Sequence, residues 1–108
     1  MNIRKIDDQF SVAGQITPGE VKAVSDAGFH SILCARPDQE EAGQPPFSEV
    51  ARAAEAAGLQ IIHIPVSGGL RESDVIRFQE AWDQMPKPMF AYCRSGARAV
   101  SLYQTLSR

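Results

Sequence analysis

The stretch Met89-Phe90-Ala91-Tyr92-Cys93-Arg94-Ser95-Gly96-Ala97-Arg98-Ala99 decides the fold. Residues 89–92 are apolar and read as a buried strand. The helix signal starts at Ala97 and runs to Leu106. Between the two lies a short loop that opens on a thiol and closes on a glycine. A strand that passes so directly into a helix is half of a βαβ unit. In an open α/β sheet this loop belongs at the carboxyl ends of the strands, where ligands bind.

The chemistry of the loop follows from its residue types. A tight turn before a helix points successive backbone N–H groups inward and makes an anion cradle. The helix N-terminus behind it adds positive potential. Gly96 lets the chain turn without a Cβ clash. Cys93, the first residue, is then surrounded by donors that favour its thiolate. Arg98 supplies a planar cation able to clamp an oxyanion with two hydrogen bonds. The reading is a nucleophile (Cys93), an oxyanion clamp (Arg98) and an anion-binding loop (Arg94, Ser95, Gly96, Ala97). The bland alternative is an inert buried thiol beside solvated arginines.

Outward from this loop the same alternation continues. Residues 3–6 and 10–13 read as short strands around the polar turn Asp7-Asp8. Thr17-Pro18-Gly19-Glu20 starts a helix, with Thr17 as N-cap and Glu20 closing a capping box. Gly28 stops it. Residues 30–34 read as a buried strand, 36–46 as a polar Pro- and Gly-rich loop, and 47–58 as an alanine-rich helix. Residues 60–66 form another apolar strand, followed by the Ser67-Gly68-Gly69 loop. Ser73 is the expected cap of a helix whose apolar side is Val75, Phe78, Trp82 and Met85. The expected architecture is a three-layer α/β sandwich. Its central sheet has four or five mostly parallel strands, flanked by helices, in one domain spanning residues 1–108.

Composition bounds the function. The chain has 108 residues, 11 Lys+Arg against 13 Asp+Glu, and a formal net charge of −2. A mildly acidic domain lacks the basic face that nucleic acid requires, so no nucleic-acid partner is expected. No apolar run approaches the roughly 20 residues of a membrane span, so no membrane partner is expected either. Two cysteines are too few for a disulfide framework, and the first residues lack the apolar core of a signal peptide. Both points favour a cytoplasmic, reducing home. His30, His63, Cys34 and Cys93 lack paired zinc-ligand spacing, so neither a metal nor another cofactor is expected.

The loop Cys93-Arg94-Ser95-Gly96-Ala97-Arg98 resembles two known active-site loops. One belongs to rhodanese-type sulfurtransferases. The other is the signature of cysteine-dependent tyrosine and dual-specificity phosphatases. That signature has Gly three residues after Cys, as Gly96 is, and Arg six after. Here Arg98 lies five after, so the loop has the rhodanese length. Residues 10–106 as a whole resemble a small bacterial family with a phosphatase-like fold. It occurs alone or fused to β-lactamase-like metallohydrolases, and is labelled either phosphatase or sulfur transferase. The resembling pieces are Ala13-Gly14-Gln15, Ile32-Leu33-Cys34-Ala35-Arg36-Pro37-Asp38, His63-Ile64-Pro65-Val66 and the Cys93 loop. A full helix between the second parallel strand and the Ile-Pro strand also matches this family rather than a rhodanese.

The resemblance implies an anionic substrate and a first reading as a phosphatase acting through phosphocysteine. The dual-specificity enzymes carry an Asp acid about thirty residues before the Cys. That stretch here, Val66-Ser67-Gly68-Gly69, has no carboxylate. Glu72 and Asp74 are the nearby candidates for a general acid, against an ordinary reading as helix N-terminal charges. The alternative function is sulfur transfer through a Cys93 persulfide, taking sulfane sulfur from an anionic donor. A third reading is an anion-binding or regulatory domain with little turnover. Gln15, Arg36 and Ser67 are candidate rim residues; for Arg36 an ordinary loop salt bridge to Asp38 or Glu40 is the alternative. Cys34 reads as core, with a resolving thiol for Cys93 as the alternative. His63 reads as a satisfied core imidazole, and the acidic run 38–41 as a solvated loop. So small a core leaves little room for a substrate-selecting lid, which suggests a small substrate or a promiscuous site.

Overall fold

The computed structural model describes residues 1–106. Five strands form one sheet: β1 (Arg4–Asp7), β2 (Phe10–Ala13), β3 (Ser31–Cys34), β4 (Gln60–His63) and β5 (Met89–Tyr92). Four helices flank it: α1 (Val21–Asp26), entered through a 3₁₀ turn at Pro18–Glu20, α2 (Phe47–Ala56), α3 (Glu72–Gln84) and α4 (Ala97–Gln104). The strand order is β1-β2-β5-β3-β4. Strands β2, β5, β3 and β4 run parallel. The sheet is mixed rather than mostly parallel, because β1 pairs antiparallel with β2. The turn between them is Asp8-Gln9, one residue later than the expected Asp7-Asp8, because Asp7 still pairs with Phe10. Two residues permit only a hairpin; a parallel return needs a crossover of a dozen residues or more.

Side chains alternate between the two faces, as the pleat requires. Phe10, Val12, Leu33, Met89 and Ala91 pack with Phe78 and Met85 of the α3 side and Ala99, Leu102 and Tyr103 of α4. Ala13, Ile32, Phe90 and Tyr92 pack with Val21 and Val24 of α1 and Val50 and Ala54 of α2. The result is the expected three-layer sandwich. Phe10 anchors the first layer: its ring stacks on Tyr103 at 4.1 Å and meets Trp82 edge-on at 6.1 Å.

Two expected helix starts fare differently. At Thr17 the backbone N–H donates to Glu20 Oε1 at 2.9 Å, and the Glu20 N–H donates to the Thr17 carbonyl at 3.0 Å. At α3 the cap is Arg71, not Ser73. Asp74 is the third helical residue and accepts from the Arg71 N–H at 3.1 Å. An acid that can reach back to an orphan N–H and also pair with the Arg71 guanidinium does what Ser73 was expected to do.

Strand β5, the last in sequence, lies in the middle of the sheet. Its carboxyl end is therefore flanked by those of β2 and β3. This places Gly14 and Gln15 on one side of Cys93 and Ala35 and Arg36 on the other. The ladder runs on past the strands: the Cys93 N–H donates to Ala13 O and the Ala35 N–H to Tyr92 O.

Candidate active site

Cys93 is the first residue beyond β5 and is 1% exposed. The chain turns back at once, so the Gly96 N–H donates to Cys93 Sγ at 3.0 Å. Gly96 has φ +95°, a left-handed conformation that L side chains resist. It is also the N-cap of α4, and its carbonyl accepts from the Val100 N–H at 3.0 Å. A Cβ on Gly14 would stand 2.9 Å from the Arg94 carbonyl oxygen, so glycine there lets β2 press against the loop. Arg94 and Ser95 are exposed, and the Ala97 N–H donates to Ser95 Oγ at 3.4 Å.

Arg98 turns toward the loop over residues 36–46. Its Nη1 lies 3.0 Å from both carboxylate oxygens of Glu40. Glu40 Oε1 also accepts from Arg36 Nε at 2.9 Å. Arg36 is 1% exposed yet fully engaged: Nη1 donates to Gln15 Oε1 at 3.1 Å and Nη2 to Glu41 Oε1 at 3.3 Å. Burial opposes the charge on Arg36, but the carboxylates of Glu40 and Glu41 outweigh it and raise its pKa. Desolvation likewise opposes ionisation of Glu40; hydrogen bonds from Arg98 and Arg36 overcome it and hold the carboxyl below its usual range. An Arg36–Glu40–Arg98 chain thus ties the start of α4 to the end of β3.

The acidic loop is built, not merely solvated. Asp38 Oδ1 accepts from the Phe47 N–H at 2.8 Å and so starts α2, while Gln44 Oε1 accepts from the Glu40 N–H at 3.1 Å. The Arg36–Glu40 salt bridge is one of the two loop pairings the sequence offers, and it forms. What the sequence does not show is that Glu40 also holds Arg98, a contact that crosses 58 positions. His63 is structural: Nε2 lies 2.7 Å from the Arg36 carbonyl, which requires a proton on Nε2, and the ring stacks on Phe47 at 4.4 Å.

The remaining expected residues spread out. Gln15 and Arg36 meet beside the loop. Ser67 is exposed beyond the end of β4, two strands from β5. Glu72 is exposed at the start of α3. Asp74 is 2% exposed. Burial opposes its charge, but the Arg71 side chain and N–H prevail and hold it below the usual carboxylate range. That carboxylate serves the helix end. Cys34 belongs to the opposite layer, among Ile32, Phe90 and Tyr92, whereas Cys93 packs with Leu33, Ala91 and Ala99. The two thiols face opposite sides of the sheet, which removes the geometry a resolving thiol needs. Among the described residues, no three His, Cys, Asp or Glu side chains are grouped to hold a metal ion.

Residues 2–107 match the family described as beta-lactamase hydrolase-like protein, phosphatase-like domain. The chain belongs to this family. A beta-lactamase hydrolase-like protein of Agrobacterium fabrum is 40% identical over 104 residues, and one of Xylella fastidiosa is 35% identical. Each match covers 95% of this chain but 24% of the relative, so the phosphatase-like domain spans about a quarter of these longer proteins. Among solved structures, a candidate phosphatase of Neisseria meningitidis is 33% identical with a TM-score of 0.85, over 95% of this chain and 74% of that one. The core catalytic domain of a PP-IP phosphatase from S. cerevisiae shares the fold at 14% identity, TM-score 0.69, over 94% of this chain and 62% of that one. The phosphatase-like domain thus has the cysteine-phosphatase fold. No helix among the described residues is long and apolar enough to cross a membrane.

Proposed function

We propose that this domain is a cysteine-dependent phosphatase acting on phosphate monoesters. The observation that carries the reading is the Gly96 N–H on Cys93 Sγ at 3.0 Å, in a loop that ends at the tethered Arg98. That N–H is placed to hydrogen-bond the sulfur both as nucleophile and again as leaving group. In the first step the Cys93 thiolate attacks phosphorus. An S–P bond forms, the ester P–O bond breaks, and the alcohol leaves with the electron pair and takes a proton. In the second step water attacks phosphorus, the S–P bond breaks, the thiolate returns and inorganic phosphate departs. Arg98 and the loop N–H groups hold the equatorial oxygens, the largest electrostatic contribution in this chemistry.

Glu40 is a positioning residue. It holds Arg98 at the rim before substrate arrives, and buried Arg36 fixes Glu40 in turn. Asp74 is committed to α3, so it is a poor proton donor; Glu72 is the remaining carboxylate of the two. Aryl phosphates, whose leaving groups need little protonation, are the favoured substrates, since loss of a positioned acid removes roughly 10²–10⁴-fold in rate.

A paired assay tests the reading: p-nitrophenyl phosphate hydrolysis and thiosulfate:cyanide sulfur transfer, with wild type and Cys93→Ser. Phosphate release in wild type alone, inhibited by vanadate, is expected. Turnover surviving in Cys93→Ser overturns the nucleophile. A gain of one sulfur on Cys93, with thiosulfate leaving as sulfite, moves the domain to sulfur transfer. Phosphate binding without turnover, lost in Arg98→Ala, moves it to an anion-binding role.

A further inference from the structure

A cavity of about 390 Å³ opens beside the Cys93 loop on the β2 side, lined by Met1, Asn2, Arg4, Gly14, Gln15 and Ser95. We propose that it is a second phosphate subsite, and that the substrate carries a second phosphate next to the one that reacts.

Three observations carry this. First, the cavity shares a wall with the cradle. Ser95 lies in the Cys93 loop, and Arg4 Nη2 is 3.0 Å from where a Cβ on Gly96 would stand. A group bound there sits against the same four-residue turn that holds the reacting phosphate. Second, the lining suits an anion: a guanidinium, two side-chain amides and a hydroxyl, with no carboxylate. Gln15 presents a fixed face, because its Oε1 accepts from Arg36 and its Nε2 donates to the Ile16 carbonyl, which leaves one Nε2 hydrogen over. Third, Arg4 makes no ion pair among the described residues, whereas its neighbour Lys5 pairs with Asp8 at 3.0 Å. Among the cations around the cradle, Arg98 and Arg36 are paired with Glu40 and Glu41 on the β3 side, and the Met1 ammonium with Glu20 at 3.8 Å. Arg4 and Arg94 make no ion pair among the described residues, and of these two only Arg4 lines the cavity. A guanidinium matches phosphate with two parallel N–H···O bonds, which a lysine cannot reproduce.

The proposal rests on the Cys93 reading for the place of the first phosphate, so two measurements separate their failures. The probes are phenyl phosphate and 1,3-phenylene bisphosphate. In steady-state hydrolysis the wild type is expected to show a KM about ten-fold lower for the bisphosphate, the gain from one charge-assisted pair. Arg4→Ala should bring the ratio of the two KM values to about one, Arg4→Lys should restore only part of it, and Lys5→Ala should retain it. Calorimetric titration of Cys93→Ser with the same probes should give the same ratio in Kd and lose it with Arg4→Ala. If wild type hydrolyses neither ester while that binding ratio persists, the phosphatase reading fails and the subsite stands. Equal affinity for the two probes, or a ratio indifferent to Arg4→Ala, overturns the subsite.

Discussion

Cys34 and Cys93 sit at the carboxyl ends of neighbouring parallel strands, yet the structure treats them oppositely. Cys34 is a residue of β3, pointing into the α1/α2 layer, with its thiol 3.5 Å from the Arg36 carbonyl. Burial pushes its pKa up to about 11. Cys93 stands one step past the end of β5, where a turning chain delivers an N–H to its sulfur. Both residues are almost fully buried, at 3% and 1% exposed. Burial alone therefore does not separate a core thiol from the proposed nucleophile. What separates them is whether the next residues continue the strand or fold over into a glycine-headed helix.

Breaking the comparison at its strong end gives the largest effect. Cys93→Ser should lower aryl phosphate turnover by at least about 10³-fold, as removal of a covalent nucleophile does. Cys34→Ala should leave kcat/KM within about two-fold and cost only about 1 kcal/mol in urea denaturation. Loss of the clamp comes next: Arg98→Ala should cost about 10²–10³-fold in kcat, with the fold intact by circular dichroism.

Glu40→Gln probes the tether. It keeps the hydrogen-bonding shape and removes the charge, so kcat should fall about ten-fold, less than in Arg98→Ala. The variant should also change acid stability. The folded pKa of Glu40 lies below its ordinary 4.5, so its contribution is fully present above that value and is lost as pH falls through the depressed one. Thermal unfolding between about pH 5 and pH 3 should therefore show a shallower decline in Glu40→Gln than in wild type. The smallest effect sharpens the Cys34 side: iodoacetamide at pH 8 should leave Cys34 unmodified in the folded protein and label it once urea removes the burial that raises its pKa. Labelling of native Cys34 at that pH would contradict its place in the core.

The parts of the molecule carried by short-range rules were legible in the sequence. The strand-to-helix passage at residues 89–97, the Thr17 cap and the βα alternation rest on periodicity and local hydrogen bonds. The Arg36–Glu40–Arg98 chain was only half legible. An arginine followed four residues later by a glutamate suggests a loop ion pair, and that pair exists. Nothing local shows that the same carboxylate reaches α4, because the contact depends on β3 and β5 being neighbours. The antiparallel edge and the Arg71–Asp74 cap were missed for related reasons. In the first, two residues of turn overrode the pattern of the rest of the sheet. In the second, an acid with a longer reach than serine displaced the residue that single-position preference favours.

The central place of β5 has a consequence for how the domain is made. Strands β2 and β3 lie on either side of β5 and are joined only through it, and β5 is the last of the five to be synthesised. Until residues 89–92 have emerged, β2 and β3 lack their shared partner, and nothing sets the spacing of the two strand ends that flank Cys93. Joining them requires contacts of long sequence separation, the slow kind. Cys93 therefore follows all five strands, and its surroundings are complete only when the whole sheet is. A chain cut short of β5 lacks both the central strand and the loop that follows it.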